Sequence, residues 1–146
     1  MWSGRVWRPS AWTDVPKMSN AHILVVDDEP DTREMLISTL EAASAQVVGA
    51  ADAEEALALL LSAPPDIIVS DLAMPRMGGI DLVRELRRMR PDAGGRTPAV
   101  ALSAHARSED RALALESGFQ DYLTKPVEPE TLLAAVAALA GPRAAA

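Results

Sequence analysis

The stretch His22-Ile-Leu-Val-Val-Asp-Asp28 decides the fold of this chain. Its short, largely β-branched apolar run is typical of a buried parallel strand, and it ends in an acidic pair. The run Asp66-Ile-Ile-Val-Ser70 ends in the same way, at Asp71. Because the carboxyl ends of parallel strands form the ligand crevice of an open sheet, we expect the carboxylates of Asp27, Asp28 and Asp71 to converge there.

Two further apolar runs are also followed by polar residues. Pro98-Ala-Val-Ala-Leu102 is followed by Ser103, and Gln120-Asp-Tyr-Leu-Thr124 is followed by Lys125-Pro126. Every candidate polar group therefore lies at the same end of its predicted strand. This arrangement favours a phosphoryl-accepting site built around Asp71.

The alternation of strands and helices predicts the architecture. The predicted strands lie near residues 22–26, 46–51, 66–70, 98–103 and 120–124. Apolar residues between and after them recur at spacings of three and four, which is typical of helices with one buried face. The predicted buried faces are Met35, Leu36, Thr39, Leu40 and Ala43 in the first helix, and Leu132, Leu133, Val136 and Leu139 in the last. Five strand–helix pairs predict an α/β doubly wound sandwich.

The length of 146 residues fits one domain. Residues 1–20 differ from the rest because they hold all three tryptophans, among glycine, proline and serine. We interpret residues 1–20 as a flexible N-terminal tail, residues 21–141 as the folded domain and residues 142–146 as a short C-terminal tail. The alternative for the first segment is a tryptophan-bearing docking segment.

The charge distribution narrows the choice of partners. The formal net charge is −7, and because residues 1–20 carry a balance of +2, the remainder carries −9. An acidic domain argues against direct binding to nucleic acid or to an anionic membrane surface. No apolar stretch is long enough to span a bilayer, nothing resembles a signal peptide, and cysteine is absent, so a cytoplasmic location is the default expectation.

Four motifs resemble the receiver domain of bacterial two-component response regulators. They are Val25-Val-Asp-Asp-Glu-Pro30, Ser70-Asp-Leu-Ala-Met-Pro-Arg-Met-Gly-Gly79, Leu102-Ser-Ala104 and Asp121-Tyr-Leu-Thr-Lys-Pro126, in the order and at the spacing of that family. The resemblance covers residue 22 to about residue 140. It implies a flavodoxin-like parallel sheet of five strands in the order 2-1-3-4-5, with five helices.

The resemblance also implies a role for each residue of the motifs. Asp71 would accept the phosphoryl group as an acyl phosphate. Mg²⁺, for which Mn²⁺ could substitute, would be held directly by Asp28 and Asp71, by Asp27 through water and by the backbone carbonyl of Ala73. Lys125 would contact a phosphoryl oxygen, with a cis peptide bond to Pro126 aiming its ammonium into the crevice. This residue is the one lysine among residues 21–146, which otherwise use ten arginines.

By the same resemblance, Ser103 would donate a hydrogen bond to a phosphoryl oxygen, and Tyr122 would be a switch aromatic that turns inward as Ser103 moves. The phosphorylated domain would change shape at the face formed by its fourth helix, fifth strand and fifth helix. Four residues would surround the site without reacting, namely Glu29, Met74, Ala104 and His105.

Each of these residues also has a purely structural interpretation. The acidic pair could belong to a solvated helix cap, with Asp28 or Asp31 serving the first turn. The hydroxyl of Ser103 could satisfy local backbone at the end of a strand, and Tyr122 could be a half-buried ring.

Two functional hypotheses follow. The first is a phosphoacceptor signalling module, without multiple turnover, that receives its phosphoryl group from a sensor histidine kinase or a histidine phosphotransfer protein and acts on an unknown downstream protein. It would be a stand-alone receiver or the receiver segment of a hybrid sensor kinase. The alternative is a Mg²⁺-dependent aspartyl-phosphate hydrolase of the haloacid dehalogenase type, whose motif has a second aspartate two residues after the first. That position is Ala73 in this chain.

Overall fold

The computed structural model describes residues 21–140, which form one parallel sheet with helices on both faces. The predicted tail at residues 1–20 and the predicted short tail at residues 142–146 lie outside the described residues. The elements, in chain order, are β1 (His22–Val26), α1 (Pro30–Ala42), β2 (Gln46–Ala50), α2 (Ala53–Ser62), β3 (Ile67–Asp71), α3 (Gly79–Arg88), a 3-10 turn (Pro91–Ala93), β4 (Ala99–Ser103), α4 (Ser108–Ser117), β5 (Asp121–Thr124) and α5 (Pro129–Ala140).

The strand order is β2-β1-β3-β4-β5, and every neighbouring pair is parallel. The predicted flavodoxin-like α/β fold with order 2-1-3-4-5 and five helices is therefore confirmed. Strand β3 extends one residue beyond its predicted end because Asp71 pairs with Leu102 of β4. Asp71 thus belongs to the sheet itself and does not begin the loop that follows.

Alternate residues of the central strands enter two separate hydrophobic clusters, one on each face of the sheet. On one face, Ile23, Val25, Val69 and Leu102 pack against helices α1 and α5. On the other face, strand residues pack against the side chains of α2 and α3 and against Phe119; these strand residues are Leu24, Val26, Ile68, Ala99 and Ala101. Burial on both faces explains why β1, β3 and β4 are nearly continuous apolar runs.

One residue of helix α1 that was predicted to be buried is exposed. Leu36, Leu40 and Ala43 are buried as expected, but Met35 is 51% exposed. Leu36 and Leu40 are one turn apart and point directly at the sheet, which leaves the preceding position rotated by about 100° toward solvent. Met35 therefore lies on the rim of the buried face and contributes little to the core.

Two prolines begin helices, and one glycine follows the end of a helix. Pro30 and Pro129 are the first residues of α1 and α5, positions where a missing N–H costs nothing. Gly118 follows α4 with a φ of 128°, a backbone conformation that side chains disfavour. Among the described residues, no helix combines the length and hydropathy that crossing a bilayer requires.

The acidic site at the carboxyl edge of the sheet

Three carboxylates meet where β1 and β3 end. Asp27, Asp28 and Asp71 each offer an oxygen, and these oxygens all lie within 4.8 Å of one another. Asp27 is fully buried and Asp71 is 6% exposed, whereas Asp28 faces solvent. The meeting follows from the topology, because β1 and β3 are hydrogen-bonded parallel neighbours.

Asp27 is fixed through both of its carboxylate oxygens. Its Oδ1 accepts a hydrogen bond from the backbone N–H of Glu29 at 2.9 Å, and its Oδ2 accepts one from Lys125 Nζ at 3.0 Å. Glu29 is the N-cap residue of α1, and no side chain caps that helix. Neither Asp28 nor Asp31 is therefore the hydrogen-bonding cap of this helix, although Asp31 does lie in its first turn.

Lys125 bridges the two buried carboxylates. Its Nζ lies 3.0 Å from Asp27 Oδ2 and 3.4 Å from Asp71 Oδ2. The backbone N–H of Lys125 donates to the carbonyl of Ser103, and the Lys125–Pro126 peptide bond is cis. Burial alone would lower the pKa of the Lys125 ammonium. The hydrogen bond from Lys125 to Asp27 and the negative charges of Asp27 and Asp71 outweigh burial, so the pKa is raised.

The pKa of the Asp71 carboxyl is also raised, and burial is the main cause. The positive charge of Lys125 opposes this effect, while the negative charge of Asp27 reinforces it. One ammonium is thus shared by two buried carboxylates. The site has an excess of negative charge, which a cation would relieve.

Ser103 and Tyr122 are both linked to the backbone of His105. Ser103 ends β4 and is buried, and its Oγ accepts the backbone N–H of His105 at 3.1 Å. The Tyr122 ring is 6% exposed and its hydroxyl donates to the carbonyl of His105. In this conformation Ser103 serves local backbone, and the Tyr122 ring lies inside the domain, more buried than the structural interpretation assumed.

The remaining predicted residues have different surroundings. The backbone N–H of Ala73 is 3.3 Å from Asp71 Oδ1. Met74 is buried within the cluster on the α2–α3 side of the sheet, whereas Glu29, Ala104 and the side chain of His105 face solvent.

One residue that contacts this site does not stand out in the sequence. Arg33 of α1 donates from Nη1 to the backbone carbonyl of Asp27 at 2.7 Å. The signal available in the sequence was weak, since an arginine in the second turn of a helix is ordinarily a solvated surface residue.

The fold and this site define an α/β domain of the flavodoxin-like class with an acidic site, and comparison with known proteins identifies the family. The sequence profile of the response regulator receiver domain matches residues 23–137. The chain therefore belongs to the receiver domain family of two-component response regulators.

Relatives of known sequence agree with this assignment. An uncharacterised 14.6 kDa protein of Leptolyngbya boryana is 50% identical over 116 residues, which are 80% of this chain and 87% of that protein. The DNA-binding response regulator MtrA of Mycolicibacterium smegmatis is 40% identical over 116 residues, which are 80% of this chain but 49% of MtrA. The chain thus spans about half the length of this regulator.

Solved structures agree as well. The receiver domain of the Francisella response regulator 1452 has a TM-score of 0.77 and 34% identity, with 83% of this chain and 97% of that chain covered. The chemotaxis protein CheY4 of Vibrio cholerae has the same TM-score and 35% identity, with 83% and 99% covered. Receiver domains are signalling proteins and not conventional enzymes, and these comparisons give no support to the hydrolase alternative.

Proposed function

We propose that Asp71 accepts a phosphoryl group from a sensor histidine kinase or a histidine phosphotransfer protein. The observation that supports this most is the position of the Asp71 carboxylate at the carboxyl end of β3. Lys125 Nζ lies 3.4 Å away, and two further carboxylates lie beside it. Such an arrangement provides a nucleophile together with a cationic contact for the oxygens of the incoming group.

In the proposed reaction a carboxylate oxygen of Asp71 attacks the phosphorus of a phosphohistidine. A phosphorus–oxygen bond forms and the phosphorus–nitrogen bond breaks. The histidine nitrogen retains the bonding electron pair, and the ring takes up one proton from solvent. Lys125 contacts a phosphoryl oxygen with its ammonium, and Ser103 donates its hydroxyl to another oxygen.

The residues of the site fit a Mg²⁺ ion. Carboxylate oxygens are the hard ligands that Mg²⁺ prefers, and three of them lie within 4.8 Å of one another. Two of the three carboxylates, Asp27 and Asp71, share the Lys125 ammonium. We infer that Asp28 and Asp71 bind the ion directly, Asp27 binds through water and the Ala73 carbonyl completes the protein ligands; Mn²⁺ has similar preferences. When bound, Mg²⁺ neutralises the charge that carboxylates and phosphoryl oxygens bring together.

Phosphorylation would be transmitted through His105. Ser103 Oγ now holds the backbone N–H of His105, and Tyr122 holds the carbonyl of the same residue. If Ser103 turns toward the phosphoryl group, its contact with the N–H of His105 is released and the loop that carries His105 rearranges. The Tyr122 ring already lies inside the domain and holds the carbonyl of His105, so the inward turn expected from the resemblance is present before phosphorylation. The α4–β5–α5 face then presents a changed surface to a downstream protein through the loop. The domain at residues 21–141 would act in the cytoplasm, without binding nucleic acid or membrane itself.

The test is labelling by acetyl phosphate in the presence of Mg²⁺, followed by intact-mass measurement. The wild-type chain should gain one phosphoryl group, and Asp71→Asn should gain none. Asp92→Asn, at an aspartate that is 72% exposed and paired with Arg90, is the matched control and should label normally. Asp28→Ala should require much more Mg²⁺. Full labelling of the Asp71→Asn variant would refute the proposal.

A second measurement separates a receiver from a hydrolase. With excess acetyl phosphate, we expect one label per molecule and slow decay, with no release of phosphate that continues at an enzymatic rate. Rapid multiple turnover would favour the hydrolase alternative.

A further inference from the structure

The backbone carbonyl of Asp27 has an unusual partner. The backbone N–H of Asp27 extends the pairing of β1 with β2 by donating to Ala50 at 3.1 Å. Its carbonyl lies beyond the last strand pair, where the chain turns into α1. There it accepts the 2.7 Å hydrogen bond from Arg33 Nη1. Because a buried carbonyl without a donor is costly, Arg33 contributes directly to this turn.

Gly49 of β2 makes room for the side chains of Ile37 and Arg33. A Cβ atom built at Gly49 would lie 2.8 Å from Ile37 Cδ1 and 3.3 Å from Arg33 Cδ. The backbone of Gly49 is regular strand, so glycine is needed here for space and not for its conformational freedom. The aliphatic part of Arg33 therefore crosses β2 at the one strand residue without a side chain.

The two peptide groups on either side of Asp28 are held by these contacts. The carbonyl of the Asp27–Asp28 peptide is held by Arg33, and the N–H of the Asp28–Glu29 peptide is held by Asp27 Oδ1 at 2.9 Å. With both neighbouring peptide planes fixed, the direction in which the exposed Asp28 side chain leaves the backbone is fixed as well.

We infer that Arg33, seated over Gly49, is a positioning residue that aims the Asp28 carboxylate at the metal site. The inference rests on the proposed function, because it assigns to Arg33 the geometry of a site that binds Mg²⁺. Arg33 acts through the backbone and touches neither the ion nor the phosphoryl group.

The direction in which the Mg²⁺ affinity changes when Arg33 is replaced distinguishes a positioning role from a simple charge effect. Arg33 is a cation beside an acidic cluster, so its charge alone opposes the binding of Mg²⁺. Removing that charge would tighten metal binding if charge were its whole influence. Removing the hydrogen bond would weaken metal binding, because the turn that carries Asp28 would lose its fixed geometry.

The experiment is a Mg²⁺ titration of the full chain, monitored by ¹H–¹⁵N NMR. Arg33→Met keeps the aliphatic stem and should raise the Mg²⁺ dissociation constant about tenfold, as loss of a supporting contact does in other metal sites. Arg33→Lys, which keeps a donor, should restore part of the loss. Arg88→Met, at an arginine that is 76% exposed and pairs with Glu85, is the control and should leave the constant unchanged.

Gly49→Ala provides a second route to the same contact. Its methyl group should displace Ile37 Cδ1 and crowd the Arg33 stem, and so weaken Mg²⁺ binding. The double variant Arg33→Met/Gly49→Ala should bind no more weakly than Arg33→Met alone. This cycle keeps the inference testable if one variant folds poorly, and urea unfolding of each variant reports any loss of fold.

Equal or tighter Mg²⁺ binding by Arg33→Met would overturn the inference, as would fully additive losses in the double variant. The wild-type chain tests the proposed function separately. If the wild-type chain neither binds Mg²⁺ nor labels at Asp71, the proposed function fails. If it does both while Arg33→Met is unchanged, the role of Arg33 alone fails.

Discussion

The ammonium of Lys125 lies 3.0 Å from the carboxylate of Asp27, a residue 98 positions earlier in the chain. The carboxylate is fully buried, and the lysine side chain is 23% exposed. The pair connects the end of β1 to the end of β5, two strands that are not neighbours in the sheet. The connection places one cation across the opening in which Asp71 lies.

Lys125→Met should destabilise the fold because it removes the cationic partner of a buried carboxylate. We expect the free energy of unfolding to fall by about 1–3 kcal/mol at neutral pH in metal-free buffer, as measured by urea denaturation. Labelling at Asp71 should also be lost. The double variant Asp27→Asn/Lys125→Met should be less destabilised than the sum of the two single variants, since an amide needs no cation. Strict additivity would contradict the pairing.

Asp71→Asn should stabilise the metal-free domain at neutral pH. Because the native pKa of Asp71 is raised, its carboxyl favours the folded state while protonated, and this contribution is lost as the pH rises through the native pKa. The asparagine variant should therefore be more stable than wild type at pH 7. The difference should disappear below the ordinary aspartate pKa of 3.8. A variant less stable than wild type at pH 7 would contradict the electrostatic description of the site.

Arg87 should matter for stability and not for labelling. Its half-buried guanidinium donates to the carbonyls of Gly95, Thr97 and Gly118, and so ties α3 to the segment before β4 and to the end of α4. Arg87→Met should lower the free energy of unfolding by about 1–3 kcal/mol, because these carbonyls lose their donor. The neighbouring Arg88→Met is the matched control. Loss of phosphorylation by folded Arg87→Met would show a role beyond structure.

Removing residues 1–20 should leave the site intact, since the strands and helices of the domain and the three carboxylates all belong to residues 21–140. Labelling of the truncated chain should match that of the full chain. Every tryptophan lies in the removed segment, so tryptophan emission of the full chain should change little with Mg²⁺ or beryllofluoride. A large emission change would instead favour the docking interpretation.

The strands, and the polar residues that follow their carboxyl ends, could be predicted from the sequence. Buried strands appear as short apolar runs, and parallel topology brings the residues after them to one edge, so the meeting of Asp27, Asp71 and Lys125 follows from local patterns. Contacts made across elements left no such pattern. The stem of Arg33, which reaches Asp27, packs over Gly49, sixteen positions later in the chain. Met35 was misassigned because apolar spacing does not tell the centre of a helix face from its rim.

The most direct test of the central claim is to locate the phosphoryl group itself. After labelling with acetyl phosphate and Mg²⁺, borohydride reduction converts an aspartyl phosphate into homoserine, which peptide mass spectrometry can assign to one position. We predict homoserine at position 71 of the wild-type chain and at no position of the Asp71→Asn variant. Homoserine at another aspartate of the wild-type chain, with position 71 unmodified, would contradict the account.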